Sequence, residues 1–433
     1  MITRIEIDGY KSFKGFSLDL FPFVVIAGSN AVGKSNLFDA LRHLSGLATK
    51  TLREAFETER GSLYDLFTIY PDGSSQNTIK YAVEMLLPAS IRDEFSATAE
   101  LKYRRLRYEL HVAKDNEGRL SIVSERLTPI KRGDDTFLKS HEYRHVKDML
   151  PTLTGGRKPF IDTQGQQITL SQDGNAGNKR AFSLSGAQRS VLSSITTIEF
   201  PHVYATQRML GDVHFLQLNP AELRQPSKLA ASPYLTAEGK NLAAMLARLR
   251  KNDEDVLKMI SNDLAMIVPS VDGVCLEEDT SREEYVISVR HVDGYLVRSQ
   301  LLSDGTLRIL ALVAIGYDPE FSGTIILEEP ENGVYPGRIA DVVALLRDTG
   351  SLGDTPLGLR QVVTNTHSTL VLRAADDHEL VFATLKKIPD AVRGSYTATE
   401  MGYIDGDLLS SRGLVARAEA EKLLSEKRPV GAL

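Results

Sequence analysis

The residues best suited to chemistry in this sequence are a lysine and a serine at the end of a glycine-rich run. Residues 28–35 read Gly-Ser-Asn-Ala-Val-Gly-Lys-Ser and match the pattern G-x-x-x-x-G-K-S without exception. Glycines let successive N–H groups point at phosphate oxygens, while the lysine adds positive charge and the serine hydroxyl can bind Mg²⁺. The run therefore predicts a phosphate site, whose candidate binding residues are Gly28, Ser29, Asn30, Ala31, Val32, Gly33, Lys34, Ser35 and Asn36.

Two adjacent carboxylates, Glu328 and Glu329, follow the apolar residues 325–327. On its own, such a pair is typical of solvated surface. Beside a phosphate loop, the pair fits the carboxyl end of a buried strand, where open parallel sheets bind their ligands. One carboxylate can anchor Mg²⁺ and the next can deprotonate an attacking water. We therefore predict Glu328 and Ser35 as metal ligands and Glu329 as the general base.

The elements that must position these residues can be read from hydrophobic periodicity. Ile5 and Ile7 alternate with polar neighbours, Leu18 and Leu20 do so again, and residues 23–28 form a continuous apolar run, which predicts three strands. The third strand leads directly into the glycine-rich run. Leucines then recur at helical spacing, at Leu37, Leu41, Leu44 and Leu47.

The middle of the chain is harder to interpret. Residues 81–123 predict further strands, and residues 134–183 are polar and glycine-rich, which suggests a surface insertion or mobile arm. Residues 184–198 and 241–267 carry helical periodicity. We therefore expect the segment that interrupts the core to be mostly helical.

Composition excludes several classes of protein. The 433 residues carry a formal net charge of −6, which disfavours indiscriminate binding to nucleic acid or to anionic membranes. The single cysteine, Cys275, rules out an intramolecular disulfide framework. No secretory signal or run of 18 apolar residues is present, so we expect a cytoplasmic protein without a membrane partner.

Two further segments complete a family resemblance: residues 301–310, LLSDGTLRIL, and residues 362–370, VVTNTHSTL. Together with the two motifs above, and in this order, they resemble the ATP-binding-cassette heads of the SMC, RecF and OLD-like ATPases. The phrases ITRIEIDGYKSF and EEPENGVYP resemble the OLD-like branch most. The resemblance covers residues 1 to about 72 and about 299 to 372.

The resemblance implies an α/β fold of the P-loop NTPase class. It would be an ABC-type ATPase head, a mixed sheet flanked by helices, with an inserted and mostly helical arm. The implied ranges are 1–130 for a lobe with the phosphate loop, 131–270 for the arm as a hairpin plus helices, and 271–433 for a second lobe. ATP and Mg²⁺ are the implied cofactors, and hydrolysis of ATP to ADP and phosphate is the implied activity.

The resemblance also implies an assembly of two heads. Ser303 and Gly305 of one subunit would reach the γ-phosphate bound at Lys34 of the other, so we expect a homodimer or a higher even-numbered oligomer. His367 would sense or stabilise the γ-phosphate, and Asn332 with Gly333 would lie in the turn that communicates between the sites.

Three positions depart from the common cassette pattern. Glu328 stands where aspartate is usual, Asp304 replaces a glycine of the signature, and the glutamine that contacts magnesium has only a weak candidate, Gln76.

Spacing places the chain within the superfamily. Ser35 and Ser303 are 268 positions apart, more than in transporter cassettes, and the heptad arms of SMC proteins are absent. OLD-like proteins usually continue into a Toprim nuclease, but only 66 residues follow His367. Asp405 and Asp407 imitate a Toprim metal pair, yet Asp-Gly between apolar residues favours a hairpin turn. We therefore expect no nuclease activity in this chain.

Stand-alone ATPases that resemble this sequence act with a separately encoded effector, often a nuclease, in bacterial defence against phage. We expect such a role, with a nuclease or toxin as the effector. One alternative is a RecF-like DNA-binding ATPase of DNA repair, and another is a scaffold that dimerises on ATP without hydrolysing it. The candidate DNA-binding residues are Lys102, Arg104, Arg105, Arg107, Lys179 and Arg180.

One motif competes with this interpretation. His141, Glu142 and His145 match the zinc-protease pattern H-E-x-x-H. The flanking residues are polar and no third ligand is evident, so we expect a polar insertion here and no metal site.

Overall fold

A computed structural model describes residues 1–57, 62–140, 143, 146, 150, 158–172, 179–353, 358–404 and 415–425. The chain divides into two compact units. The first comprises Met1–Val213 with Asp377–Leu433, and the second comprises His214–Asp376. None of the helices described is both long and apolar enough to cross a lipid bilayer.

The strands are numbered in chain order: β1 Ile2–Asp8, β2 Phe16–Asp19, β3 Phe23–Ala27, β4 Thr78–Leu86, β5 Ser90–Arg92, β6 Thr98–Glu100, β7 Arg105–Lys114, β8 Leu120–Pro129, β9 Ile161–Gln164, β10 Gln167–Ser171, β11 Lys179–Ser183, β12 Val213–Leu216, β13 Ser227–Lys228, β14 Val271–Asp279, β15 Glu284–His291, β16 Leu296–Arg298, β17 Gly323–Glu328, β18 Ser351–Leu352, β19 Leu359–Thr366, β20 Leu380–Ile388 and β21 Tyr396–Tyr403. The helices are α1 Lys34–Thr49, α2 Leu52–Glu57, α3 Pro201–Gly211, α4 Pro220–Leu223, α5 Leu242–Asn252, α6 Val256–Ile267, α7 Asp304–Tyr317, α8 Ile339–Thr349, α9 Thr369–Ala374 and α10 Arg417–Ser425.

The largest sheet of the first unit is antiparallel, with its eight strands in the order β11-β10-β9-β8-β7-β4-β1-β2. Its long strand β7 alternates between buried and half-buried positions, as expected of a sheet with one face on the core. The other face carries charge. Arg107 of β7 contacts Glu6 of β1 and Glu84 of β4, so ion pairs link three neighbouring strands.

A second set of strands in this unit supports the phosphate loop. Strand β3 is buried at all five positions and pairs in parallel with β20, which pairs antiparallel with β21. Helix α1 follows the loop and buries a stripe of apolar residues that includes Leu37, Leu41, Leu44 and Leu47. The strand, loop and helix predicted from the sequence are therefore confirmed.

In the second unit, β17 and β19 pair in parallel, with Glu328 opposite Asn365. All eight residues of β19 are buried, and β17 is buried from Thr324 to Leu327. Strand β12 lies beside β17. A small antiparallel sheet of β13, β15 and β14, with β16 paired to β15, is covered by α6.

The middle of the chain differs in part from the sequence prediction. Helices α5 and α6 occupy residues 241–267 as predicted. Residues 184–198 do not form the predicted helix and contain only a short 3₁₀ turn, Leu192–Ser194. Part of the polar stretch 134–183 forms β9, β10 and β11, which extend the large sheet. The ranges 1–130, 131–270 and 271–433 stay a prediction, and the boundary between the compact units at Val213 falls inside the second range.

A buried carboxylate explains why residues 184–198 are not helical. The Glu125 side chain accepts hydrogen bonds from the backbone N–H groups of Val191 and Leu192, at 2.6 and 2.8 Å, and from the Tyr108 hydroxyl at 3.1 Å. The Ser190 hydroxyl also donates to the Leu47 carbonyl at 2.9 Å. These contacts hold the segment against β8 and α1 and satisfy backbone groups that a helix would pair internally.

Glu125 gives the first unit a pH-dependent stability. Burial raises the pKa of Glu125 from 4.5 to about 7, against the effect of the three donors. Between these two values the folded chain binds more protons than the unfolded chain, so the free energy of unfolding falls as pH rises. At about 1.4 kcal/mol per pKa unit, the loss from pH 4.5 to 7 is on the order of 3 kcal/mol.

We predict that Glu125→Gln removes this slope. Melting temperatures measured by calorimetry from pH 4.5 to 7.5 should fall more steeply in the unsubstituted protein than in the variant. Glu100→Gln, at an exposed glutamate of the same unit, serves as the matched control and should keep the full slope. Parallel pH profiles for the unsubstituted chain and Glu125→Gln would contradict the assignment.

Candidate active site

The phosphate loop of the first unit is curled around its own lysine. The Lys34 ammonium donates to the carbonyl oxygens of Gly28 and Ser29, at 2.6 and 2.8 Å. Lys34 is buried, whereas Asn30, Ala31 and Ser35 are exposed. The lysine thus lies inside the loop, and the Ser35 hydroxyl lies at its accessible rim.

Backbone geometry explains the glycines of the motif. Gly33 has φ +98°, in the left-handed region that favours glycine, and a Cβ atom there would lie 2.1 Å from Thr399 Oγ1. A Cβ atom on Gly28 would lie 2.8 Å from the Ala383 carbonyl oxygen. Ala31 also has a positive φ, +65°, which is uncommon for a residue with a side chain. The loop is therefore a constrained structure.

Three polar side chains far apart in sequence support the loop from beneath. Thr399 of β21 donates its hydroxyl to the Val32 carbonyl at 3.0 Å and lies 2.7 Å from the Ser12 hydroxyl. The Asn36 amide donates to Ser12 Oγ at 2.8 Å. Sequence analysis missed Ser12 and Thr399, because neither belongs to a local motif. Asn36 makes this supporting contact, and its predicted role in nucleotide binding stays a prediction.

These features fit the triphosphate of a nucleotide. Helix α1 begins at Lys34 with no side-chain cap, so its N-terminal end and helix dipole can meet an anion. Lys34 would contribute its positive charge, and Ser35 is placed at the start of the helix where a hydroxyl ligand for Mg²⁺ is required. The conformation of the loop is therefore compatible with a phosphate site, and the roles of its residues stay a prediction.

The acidic pair of the second unit lies at the end of β17, as predicted. Glu328 is the last residue of the strand and is exposed. Glu329 turns out of the strand with φ +47°, a strained conformation for a residue with a side chain. Its backbone N–H donates to Asn365 Oδ1 at 2.9 Å, which holds the turn in place.

Both oxygens of the Glu329 carboxylate have a partner. Oε1 lies 2.9 Å from His367 Nδ1, and Oε2 accepts from the Asn332 amide at 2.8 Å. The side chains of Glu329 and His367 remain 32% and 50% exposed, so they are accessible to solvent. The structure thus brings together three residues that were predicted separately, and the contacts orient the carboxylate.

A third carboxylate, that of Glu331, belongs to the same turn. Glu331 is buried and accepts a hydrogen bond from the Thr366 hydroxyl, which in turn accepts the Ser368 N–H at 2.9 Å. Burial raises the pKa of Glu331, and the nearby Glu329 adds to the effect. Glu331 joins the acidic turn to the turn that carries His367, and sequence analysis did not single it out.

The predicted signature residues lie at the start of α7. Ser303 caps the helix by accepting the Thr306 N–H at 3.2 Å. Gly305 is buried, and a Cβ atom there would lie 2.6 Å from the Gly333 carbonyl oxygen, so only glycine fits this contact. Arg308, one turn further on, donates to the Asn332 carbonyl oxygen. The signature and the Asn332–Gly333 turn are therefore packed together within one unit.

A small cavity of about 130 Å³ adjoins these residues. Glu328, Glu329, Arg308 and Asn332 are among its polar lining residues, and its apolar lining includes leucine side chains. Both predicted carboxylates therefore border the same cavity.

The structure describes only some of the other residues that the sequence singled out. The side-chain amide oxygen of Gln76, Oε1, accepts the Tyr70 hydroxyl at 2.7 Å, and the role of Gln76 at magnesium stays a prediction. His141, Glu142 and His145 lie outside the described residues, as do Asp405 and Asp407.

The basic run of β7 does not form an open cationic surface. Arg105 is 6% exposed and forms a two-pronged ion pair with Asp135, and Arg107 contacts Glu6, Glu84 and Glu109. Arg104 donates to the Leu87 carbonyl at 2.9 Å, and Arg180 pairs with Glu199 at 2.8 Å. Arg105 and Arg107 are therefore structural parts of the sheet, whereas the ion pair of Arg180 lies at the surface.

Comparison with solved structures identifies the fold. The head of an SMC protein bound to the C-terminal winged-helix domain of ScpA matches with a TM-score of 0.53 and 14% identity over 93% of this chain and 98% of that one. An Smc head with an extended coiled coil, bound to the C-terminal domain of ScpA and derived from Pyrococcus furiosus, matches with a TM-score of 0.50 and 12% identity over 93% and 96%. The fold is that of a P-loop, ABC-type ATPase head.

Comparison of sequences gives the family. A search of curated protein sequences finds no match to this chain. Residues 23–373 match the family described as "AAA domain, putative AbiEii toxin, Type IV TA system". This range includes the phosphate loop, the signature, the acidic pair and His367. Because the match extends over most of the sequence, the chain belongs to this family of AAA domains.

Proposed function

We propose that this protein hydrolyses ATP to ADP and phosphate and that Glu329 is the general base. The observation that carries the proposal is the geometry of Glu329, a solvent-accessible carboxylate held by His367 and Asn332 at the end of a buried strand. The phosphate loop of the same chain supplies the reason for a nucleotide substrate. Membership of an AAA family supports both a nucleotide substrate and its hydrolysis.

Each residue of the proposal has a separate task. Lys34 and the N-terminal end of α1 would bind the β and γ phosphates. Ser35 and Glu328 would hold Mg²⁺, which supplies positive charge to the phosphate oxygens. Glu329 would accept the proton of the attacking water. His367, which is hydrogen-bonded to Glu329 Oε1, would orient the Glu329 carboxylate and lie next to the γ-phosphate.

The proposed assembly is a homodimer, or a higher even-numbered oligomer, that forms around ATP and acts on a separately encoded effector in anti-phage defence. Both matching SMC heads are bound to a domain of ScpA, so this fold binds a second protein in other chains. The family description names a toxin of a type IV toxin–antitoxin system, which supports a role beside a second protein. In this proposal, ATP controls when the effector, a nuclease or toxin, becomes active.

The nucleotide site is tested by Lys34→Ala. Loss of a charge-assisted contact costs about 1.5 to 3 kcal/mol, so affinity for ATP should fall by about ten- to a hundredfold. Isothermal titration calorimetry measures the change directly. Lys14→Ala, which removes a lysine paired with Asp8 in the same unit, is the matched control and should bind ATP normally. Equal affinities in all three proteins would refute the phosphate site.

The general base is tested by Glu329→Gln. The amide keeps the shape of the side chain, but it has one acceptor oxygen in place of two and cannot accept the proton, so phosphate release should fall by about 10² to 10⁴-fold. ATP affinity should be retained, and an ATP-bound dimer should accumulate in light scattering after size exclusion. Glu320→Gln, at an exposed glutamate of the same unit, should leave turnover unchanged. Unreduced phosphate release from Glu329→Gln would remove Glu329 from this role.

The proposed regulation of an effector is tested with the protein encoded by the neighbouring gene. We expect it to bind the purified ATPase and to change its activity when ATP is added, with Lys34→Ala abolishing the response. The absence of any ATP-dependent association or activity change would end the regulatory part of the proposal and leave the ATPase part intact.

A further inference from the structure

A carboxylate lies where the proposed dimer needs to bind an anion. Asp304 is the first residue of α7, between Ser303 and Gly305, and its side chain is 59% exposed. A carboxylate stabilises the start of its own helix but repels a phosphate brought to the same point. The proposed function brings the γ-phosphate of a second subunit to this turn, and the inference below rests on that function.

The structure supplies a counter-charge for Asp304. The Arg224 guanidinium forms an ion pair with Asp304 through Nη2. Arg224 directly follows the short helix α4, and 80 positions separate it from Asp304. No local motif links the two residues, so only the fold reveals the pair.

Arg224 is held in place by contacts on several sides. Its Nε donates to the Pro220 carbonyl at 3.1 Å, and its Nη1 donates to the Gln300 carbonyl at 3.3 Å. Its own carbonyl oxygen accepts the hydroxyl of the buried Ser299 at 2.9 Å. The guanidinium is therefore set in position before any ligand arrives, and its side chain is still 28% exposed.

We propose that Arg224 is a positioning residue that makes the Ser303–Gly305 turn able to accept the γ-phosphate of ATP bound by a second copy of this chain. The guanidinium cancels the charge of Asp304 and presents further N–H donors beside the turn. This role explains how a signature with aspartate in place of glycine can still meet a triphosphate.

Stability alone does not account for the pair. Ser303 already caps α7 through the Thr306 N–H. Ion pairs with this much exposure contribute little to folding. The contacts that fix Arg224 to Gln300 and Ser299 instead hold its charge at the one turn of α7 where the proposed dimer needs it.

The test is Arg224→Ala, measured by ATP-dependent dimerisation in analytical ultracentrifugation and by phosphate release. Affinity for ATP at the phosphate loop should be unchanged in the monomer, whereas dimerisation and kcat should each fall at least tenfold. Lys240→Ala is the matched control, since it removes another basic residue of the same segment, paired with Glu222 at 3.8 Å. That control should dimerise and turn over ATP normally.

Two further measurements separate the charge role from a structural one. The double variant Arg224→Ala with Asp304→Asn should recover most of the lost dimerisation, because the repelling carboxylate is gone. Raising the salt concentration from about 0.05 to 0.5 M should reduce the defect of the single variant, since salt screens the repulsion. Arg224→Gln replaces Arg224→Ala if the alanine variant does not fold.

The outcomes are distinct. Normal dimerisation of Arg224→Ala, increased turnover that marks the pair as an inhibitory latch, or failure of Asp304→Asn to rescue would each overturn the inference while leaving the ATPase intact. If the unsubstituted protein neither dimerises with ATP nor hydrolyses it, the proposed function fails first and the inference falls with it.

Discussion

The parallel register of β17 and β19 is the constraint on which the acidic turn depends. Glu328 lies opposite Asn365, and both strands are buried up to this level, so the residues that follow emerge together at the same edge. A slip of one residue would direct the Asn365 side chain to the opposite face. The N–H of Glu329 would then lose its acceptor, and the strained turn would lose the hydrogen bond that holds it. The contact between Glu329 and His367 follows from the same register.

Contacts within the second unit connect this turn to the start of α7. Glu329 is bonded to the Asn332 amide, the Asn332 carbonyl accepts Arg308 of α7, and the Gly333 carbonyl packs against Gly305. The Asn332 hydrogen bond to Glu329 is 2.8 Å long, and the contact with Gly333 leaves no room for a Cβ atom on Gly305. A displacement of α7 therefore has to move the Asn332 turn, and with it one of the two donors that orient Glu329. The start of α7 and Glu329 are thus linked through packed groups.

Sequence patterns predicted those elements whose conformation depends mainly on residues close in sequence. The glycine-rich loop, the buried strand before Glu328 and the helices of residues 241–267 each carry their signal within a few residues, and the structure confirms all three. Residues 184–198 have helical periodicity, but two of their N–H groups donate hydrogen bonds to Glu125, which is 66 positions from Val191. Thr399 and Arg224 were missed for the same reason. Each acts through a partner distant in sequence, and no spacing rule reports such contacts.

The arginines of β7 show why a basic run can mislead when sequence alone is considered. Strand β4 places Glu84 opposite Arg107 of β7, and Glu6 lies one strand further on, in β1, so the charge of Arg107 is paired across the sheet. Arg105 is nearly fully buried beside Asp135. Removing one partner of such a pair leaves the other charge buried and unpaired, which is strongly destabilising. Loss of DNA binding in an Arg105 variant would therefore report a damaged sheet, and a test for DNA contact has to use exposed residues such as Lys102.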